Sequence, residues 1–203
     1  TGKSTLLRAI MGLETPKNGE IILHGKNIAS LKPEKLARKI SFVTTDKVRI
    51  ANLRCKDVVA LGRAPYTNWI GQLQAEDEKR VVTAMHLVGM SDYAEKTMDK
   101  MSDGECQRIM IARALAQDTP VILLDEPTND IDVNTMRALE DGLENFAGCV
   151  LVVSHDRWFL DRIATHIMAF EGDSSVVFFD GNYSEYEEDR KKRSVRTRIS
   201  RTA

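Results

Sequence analysis

Val121-Ile122-Leu123-Leu124-Asp125-Glu126 puts four consecutive apolar residues directly ahead of two carboxylates. A short run that is apolar at every position fits a strand covered on both faces, as in a parallel, helix-covered sheet. The two acids then stand at the carboxyl end of that strand, where open α/β sheets bind ligands. A strand that merely runs out into a solvated acidic turn has the same string, so the neighbouring segments have to decide.

Downstream, helical spacing over 134–145 leads to a second apolar run at 149–153, predicted as another buried strand, which ends in Ser154-His155. Upstream, a long helix over 104–117 carries Ile109, Met110, Ala112, Leu115 and Ala116 on an apolar face, and Pro120 closes it. Short strands are expected at 20–24 and 40–44, with a helix at 33–39. The stretch from 54 to about 95 shows no strand pattern. It reads as helices at 56–61 and 76–88 and a turn near 92–96. A helical subdomain at 54–98 inserted into an α/β core is the arrangement this implies. A closing hairpin is expected from 167–170 and 176–179, then a charged helix over 183–193.

The chain of 203 residues is long enough to bury a sizeable core. Its 29 Lys and Arg nearly cancel its 30 Asp and Glu, so no whole-protein field points to nucleic acid or membrane. Charge is uneven only at 190–203, a basic tail containing Arg190-Lys191-Lys192-Arg193. This reads either as a solvated end or as contacts to RNA phosphates. Cys55, Cys106 and Cys149 match no metal-ligand spacing and one must stay unpaired, which suits a reducing cytosol. No apolar run approaches the roughly 20 residues that span a bilayer. Any membrane is therefore expected to be reached through a partner.

Three further strings carry chemistry. Gly2-Lys3-Ser4-Thr5 opens a helix with a glycine that lets backbone approach phosphate, a lysine for phosphate oxygens and a hydroxyl suited to Mg²⁺. Alone, it fits a capped helix start equally well. Ser102-Asp103-Gly104-Glu105 begins the long helix either as an anion site or as an ordinary N-cap. Ser154-His155-Asp156 puts a histidine at a strand end, where a structural role is the commoner one.

Gly-Lys-Ser-Thr, Ser-x-Gly-Glu, four apolar residues with Asp-Glu, and a strand-end His stand here in one order. In that order the chain resembles the ATP-binding cassette (ABC) domains over essentially its whole length. The resemblance implies an α/β P-loop NTPase core with the inserted helical subdomain, one domain over 1–203, binding ATP and Mg²⁺. By likeness Gly2, Lys3, Ser4 and Thr5 form the phosphate loop, Ser4 and Asp125 hold the metal, and Glu126 is the catalytic base. His155 is the switch residue at the γ-phosphate. Asp132, in Asn129-Asp130-Ile131-Asp132, matches the D-loop aspartate. Ser102 and Gly104 match the signature motif, which serves the ATP of a second ABC domain in a head-to-tail dimer. The loop's first glycine, five positions before Gly2, is not in the chain, so an N-terminally truncated cassette is expected, with weak ATP binding on its own. Thr45 or Asp46 stands where the family has a glutamine.

Within the family, residues 1–128 resemble importers of iron-siderophores, haem and cobalamin, through Leu61-Gly62-Arg63-Ala64-Pro65-Tyr66, Ala75-Glu76-Asp77 and Met101–Glu105. That likeness implies a permease partner and a place on the inner face of the cell membrane. Residues 129–193 instead resemble ABC-F translational throttle factors, through Ser154–Arg162 and Gly181–Glu187, and imply a ribosomal partner. The change falls inside 124–128, which suggests a composite chain. The expected function is an importer ATPase, the alternative an ABC-F factor or an inactive composite fragment.

Overall fold

A computed structural model describes residues 2–44, 51–129, 131–172 and 175–200, with side chains as far as Arg193. The chain forms two compact units, one over residues 2–153 and one from Ser154 onward.

The first unit is built on a parallel sheet of β3 (Ile40–Val43), β4 (Val121–Asp125) and β5 (Cys149–Val153), in the order β3-β4-β5. Ile40 pairs with Val121 and Val121 with Cys149, so the carboxyl ends of all three strands share one edge. β4 is central and buried from Ile122 to Asp125, as its unbroken apolar run requires. β5 departs from expectation. Cys149 is exposed and the other four residues are only half-buried, although β3, which also has a single neighbour in this sheet, is buried at three of its four residues. An apolar run cannot report how fully its strand will be covered.

Helix α1 (Lys3–Ile10) and α2 (Pro33–Ala37) cover the sheet through Leu7, Ile28, Leu36, Ile40 and Leu123. Burying each such side chain contributes about 1.5–3 kcal/mol. Between them β1 (Ile22–Leu23) and β2 (Lys26–Asn27) form a small hairpin. Its turn, His24-Gly25, has positive φ at both residues (48° and 72°), the geometry of a tight hairpin. The strand expected at 20–24 is therefore the first arm of this hairpin, and Gly25 is its turn rather than a simple stop.

Between Arg54 and Lys100 every regular element is helical, joined by turns and loops, apart from one isolated bridge between Arg54 and Thr97. It comprises α3 (Cys55–Ala60), a 3₁₀ segment (Leu61–Tyr66), α4 (Ala75–Leu87) and two short 3₁₀ turns. These pack on α5 (Asp103–Ala116), which also contacts β3 and α6 (Val133–Glu144). The expected single apolar face of α5 is too narrow. Ile111 and Ala114 are buried as well, because neighbours cover the helix on several sides.

The second unit comprises α7 (Arg157–Ile163), β6 (His166–Gly172), β7 (Ser175–Asp180) and α8 (Tyr183–Ser200). β6 and β7 are antiparallel, pairing His166 with Asp180 and Met168 with Phe178. The Gly181-Asn182 corner ends in a capping box: the Glu185 amide donates to Asn182, and the Asn182 amide donates to Glu185. Helix α8 is held on β6 by Tyr186, whose hydroxyl donates to Glu171 at 2.6 Å, and by Arg193, which donates to Glu171 and Asp189.

Candidate functional site

At the carboxyl edge of the sheet, sequence positions 121 apart come together. The Ser4 hydroxyl donates to Asp125 Oδ1 at 3.0 Å. α1 begins at Gly2, whose φ of 76° only glycine adopts cheaply; a Cβ there would meet nothing within 4 Å. The need for glycine is therefore conformational, not spatial. The N-cap is a glycine, which supplies no side-chain cap, and no acid lies in the first turn, so the N-terminal dipole of α1 suits an anion.

Asp125 is buried at the end of β4, and Glu126 turns the chain away from it. Glu126 has φ 48°, rare for a non-glycine residue, and its amide donates to Val153 O at 2.7 Å. Glu126 thus directly follows the strand end, on a positive-φ turn tied back to β5. Two hard oxygen donors, Ser4 Oγ and Asp125 Oδ1, thus lie at the N-terminus of α1. That donor set fits Mg²⁺, which takes one or two protein oxygens and fills its shell with water and phosphate oxygen. No cluster of three or more His, Cys, Asp or Glu among the described residues is placed to hold a metal.

Ser102 and Glu105 form a capping box at the start of α5, with the Ser102 amide donating to Glu105 at 2.8 Å. The Ser102 amide, with the Ser102 hydroxyl, holds the Glu105 carboxyl below its ordinary range. Gly104 is buried, and a Cβ on it would lie 3.0 Å from both Asp132 Oδ2 and Thr135 Oγ1. Asp132 caps α6 by accepting from the amides of Asn134 and Thr135 and from the Thr135 hydroxyl at 2.7 Å. The Thr135 hydroxyl and amide depress its pKa. The structure therefore brings Asp132 against Gly104, and Thr135, fully buried, is the residue the sequence reading passed over. Its signal was present as Asp132-x-x-Thr135, a capping pattern.

His155 lies in the second unit, exposed, just ahead of Asp156, which caps α7 by accepting from the Phe159 amide. The rest of the 154–162 string is structural. Phe159 is fully buried and Asp161 accepts from the Ser184 amide. Thr1, Thr45, Asp46 and Asp130 lie outside the described residues. The importer-like strings also have a structural use. Arg63, buried, donates to Asp77 at 2.8 Å and to the carbonyl of Ala116 at 2.9 Å, closing the C-terminus of α5.

A family model described as ABC transporter matches residues 1–129. The energy-dependent translational throttle protein EttA of Haemophilus influenzae is 35% identical over 193 residues, 94% of this chain and 32% of that protein. EttA of Mycobacterium tuberculosis is 38% identical over 196 residues, covering 95% and 32%. An uncharacterized ABC transporter ATP-binding protein of Methanocaldococcus jannaschii is 39% identical over 184 residues, covering 87% and 62%. The chain spans about a third of the length of the EttA relatives it matches. One solved structure, a dimeric post-hydrolysis state of an ATP-binding cassette bound to ADP and Pi, has TM-score 0.71 at 28% identity, covering 88% of this chain and 80% of that one. A putative metal-chelate type ABC transporter, inward-facing, has TM-score 0.74 at 24% identity, covering 88% and 67%, a likeness of fold alone. The family match spans well over half the chain, and with the sheet-edge geometry it leads to one conclusion: this chain belongs to the ABC transporter family of ATP-binding domains.

Proposed function

We propose that the chain binds ATP with Mg²⁺ at the edge formed by α1 and β4 and hydrolyses it when paired head to tail with a second ABC domain. The observation that carries this reading is the Ser4–Asp125 hydrogen bond, which joins the phosphate-loop hydroxyl to the strand-end acid. Gly2, Lys3, Ser4 and Thr5 would cradle the phosphates, and Ser4 and Asp125 would hold the cation, whose charge would neutralise that of the phosphate oxygens. Glu126 takes the proton of the attacking water. Ser102 and Gly104 serve the partner's nucleotide, Asp132 lies beside Gly104, and His155 is the switch residue. A dimeric cassette structure with ADP and Pi supports the paired arrangement.

The test is Glu126→Gln. Nucleotide affinity should be retained while hydrolysis falls about 100-fold or more, the value of a positioned base. Normal turnover in this variant removes Glu126 from the mechanism.

The ATPase is assigned to an importer of the iron-siderophore, haem or cobalamin type, peripheral on the inner face of the membrane. The Arg63–Asp77 pair, built from the importer-like strings, supports this. Co-expressed permease should carry the chain into the membrane fraction, and equal recovery without permease rejects the assignment. A second reading, an ABC-F factor, is favoured by the EttA alignments, which cover 94–95% of this chain. It requires salt-sensitive cosedimentation of Glu126→Gln with ribosomes under ATP.

A further inference from the structure

The first turns of α5 and α6 meet through polar atoms. Gly104 is buried in the first turn of α5. A Cβ on it would lie 3.0 Å from Asp132 Oδ2, 3.0 Å from Thr135 Oγ1 and 3.9 Å from Thr135 Cβ. Thr135 is fully buried, and a buried hydroxyl needs a partner. That partner is Asp132, whose Oδ2 accepts from the Thr135 hydroxyl at 2.7 Å. Its other oxygen, Oδ1, accepts from the amides of Asn134 and Thr135 at 2.8 and 3.0 Å.

The two oxygens do different work. Bonds from backbone amides to Oδ1 are what an N-cap requires, and they suffice to start α6. The Thr135 hydroxyl satisfies no further amide of the helix. It fixes Oδ2, the atom that lies against Gly104. A β-branched side chain has few χ1 choices, so the hydroxyl is held in place by its own backbone. The two sides of this contact also belong to different sites in the proposed function. Asp132 follows Asp125 and Glu126 by a few residues, whereas Gly104 belongs to the turn that a chain lends to its partner.

We propose that Thr135 is a positioning residue: through Asp132 it sets where Gly104, and with it the first turn of α5, stands for the partner's nucleotide. The inference rests on the paired arrangement proposed above. Without the hydroxyl, Asp132 keeps its two amide bonds and α6 stays capped. Asp132 is exposed, so Oδ2 is then free to turn to water and Gly104 loses its seat. The defect belongs to the site that a chain completes for its partner, and its own phosphate loop is spared.

Thr135→Val keeps the branched shape and removes the hydroxyl, while Thr135→Ser keeps the hydroxyl. Alone, Thr135→Val should hydrolyse ATP roughly tenfold more slowly, with circular dichroism and ATP affinity unchanged. Thr135→Ser should recover most of the rate. The site affected is read by mixing full chains. Thr135→Val mixed with Lys3→Ala should regain hydrolysis, because one composite site then joins an intact phosphate loop to an intact Ser102–Gly104 turn. Mixed with Ser102→Arg it should stay slow, because neither composite site has both. Full activity of Thr135→Val, a Thr135→Ser chain no faster than Thr135→Val, or rescue by Ser102→Arg overturns the proposal. So does rescue by neither partner, which leaves Thr135 a structural role only. Failure of the paired arrangement itself shows separately: Lys3→Ala and Ser102→Arg then do not rescue each other, and both readings fall.

Discussion

Glu126 has φ 48° in a chain where most other positive-φ positions are glycine or follow a turn. A non-glycine residue in this region costs of order 1–3 kcal/mol, and such strain collects where a side chain must be aimed. Glu126→Gly should therefore separate stability from chemistry. Its melting temperature should match or exceed that of the parent, while hydrolysis falls about 100-fold or more. A clear loss of stability by calorimetry would mean that the turn is not strained and that Glu126 is held by packing. As candidates, Gly2-Lys3-Ser4 and Asp125-Glu126 could be picked out by residue type and spacing taken together, and the structure brings Ser4 and Asp125 together. The backbone conformation of Glu126 was not legible, because only glycine advertises positive φ in a sequence. Thr135 was missed for a related reason. Its hydroxyl matters through Asp132, which presses on Gly104 from a distant segment.

Between elements, the buried Arg63–Asp77 pair joins the 3₁₀ segment, α4 and the C-terminus of α5. Removing one partner leaves an uncompensated buried charge, so Asp77→Ala should destabilise the chain by about 3–5 kcal/mol. The Gln74 amide, with Arg63, holds the Asp77 carboxyl below its ordinary range. A depressed carboxylate contributes stability above its unfolded pKa of about 3.9, and that stability is lost as pH falls through the folded value. Denaturant unfolding from pH 6 downward should therefore show a shallower acid loss in Asp77→Ala than in the parent. Gly62 meets the same junction: a Cβ there would lie 2.2 Å from Arg113 O. Helices α3, α4, α5 and α6 were readable to within a residue because caps and apolar spacing are local signals. Helix α7 was not, since Phe159 alone is fully buried there while Trp158 is 81% exposed, leaving no periodicity to see.

For the whole molecule, the paired arrangement makes a prediction that one subunit cannot satisfy. On the proposed function, Lys3→Ala should disable a chain's own phosphate loop, and Ser102→Arg what it lends to a partner. Mixing the two inactive proteins should restore hydrolysis, since one of the two composite sites then has both halves intact. Additive, near-zero rates in the mixture would reject composite sites. The second unit has its own signature in alkali. Burial and the bond to Glu171 push the Tyr186 hydroxyl up to about 12. A raised pKa contributes stability that is complete below the ordinary value of about 10 and is lost as pH rises toward the folded one. Tyr186→Phe should therefore flatten the loss of stability between those values, followed by hydrogen exchange on α8. By itself the sequence determined the longer helices, the apolar strands, their order and the chemical types at the sheet edge, because apolar periodicity, capping residues and glycine turns act between near neighbours. Only the tertiary structure decided that β5 has one neighbour in the sheet, that Arg63 closes α5, and that Ser4 reaches Asp125 across 121 positions. Such contacts depend on which surfaces the packed chain leaves facing each other, and no short stretch of sequence encodes that.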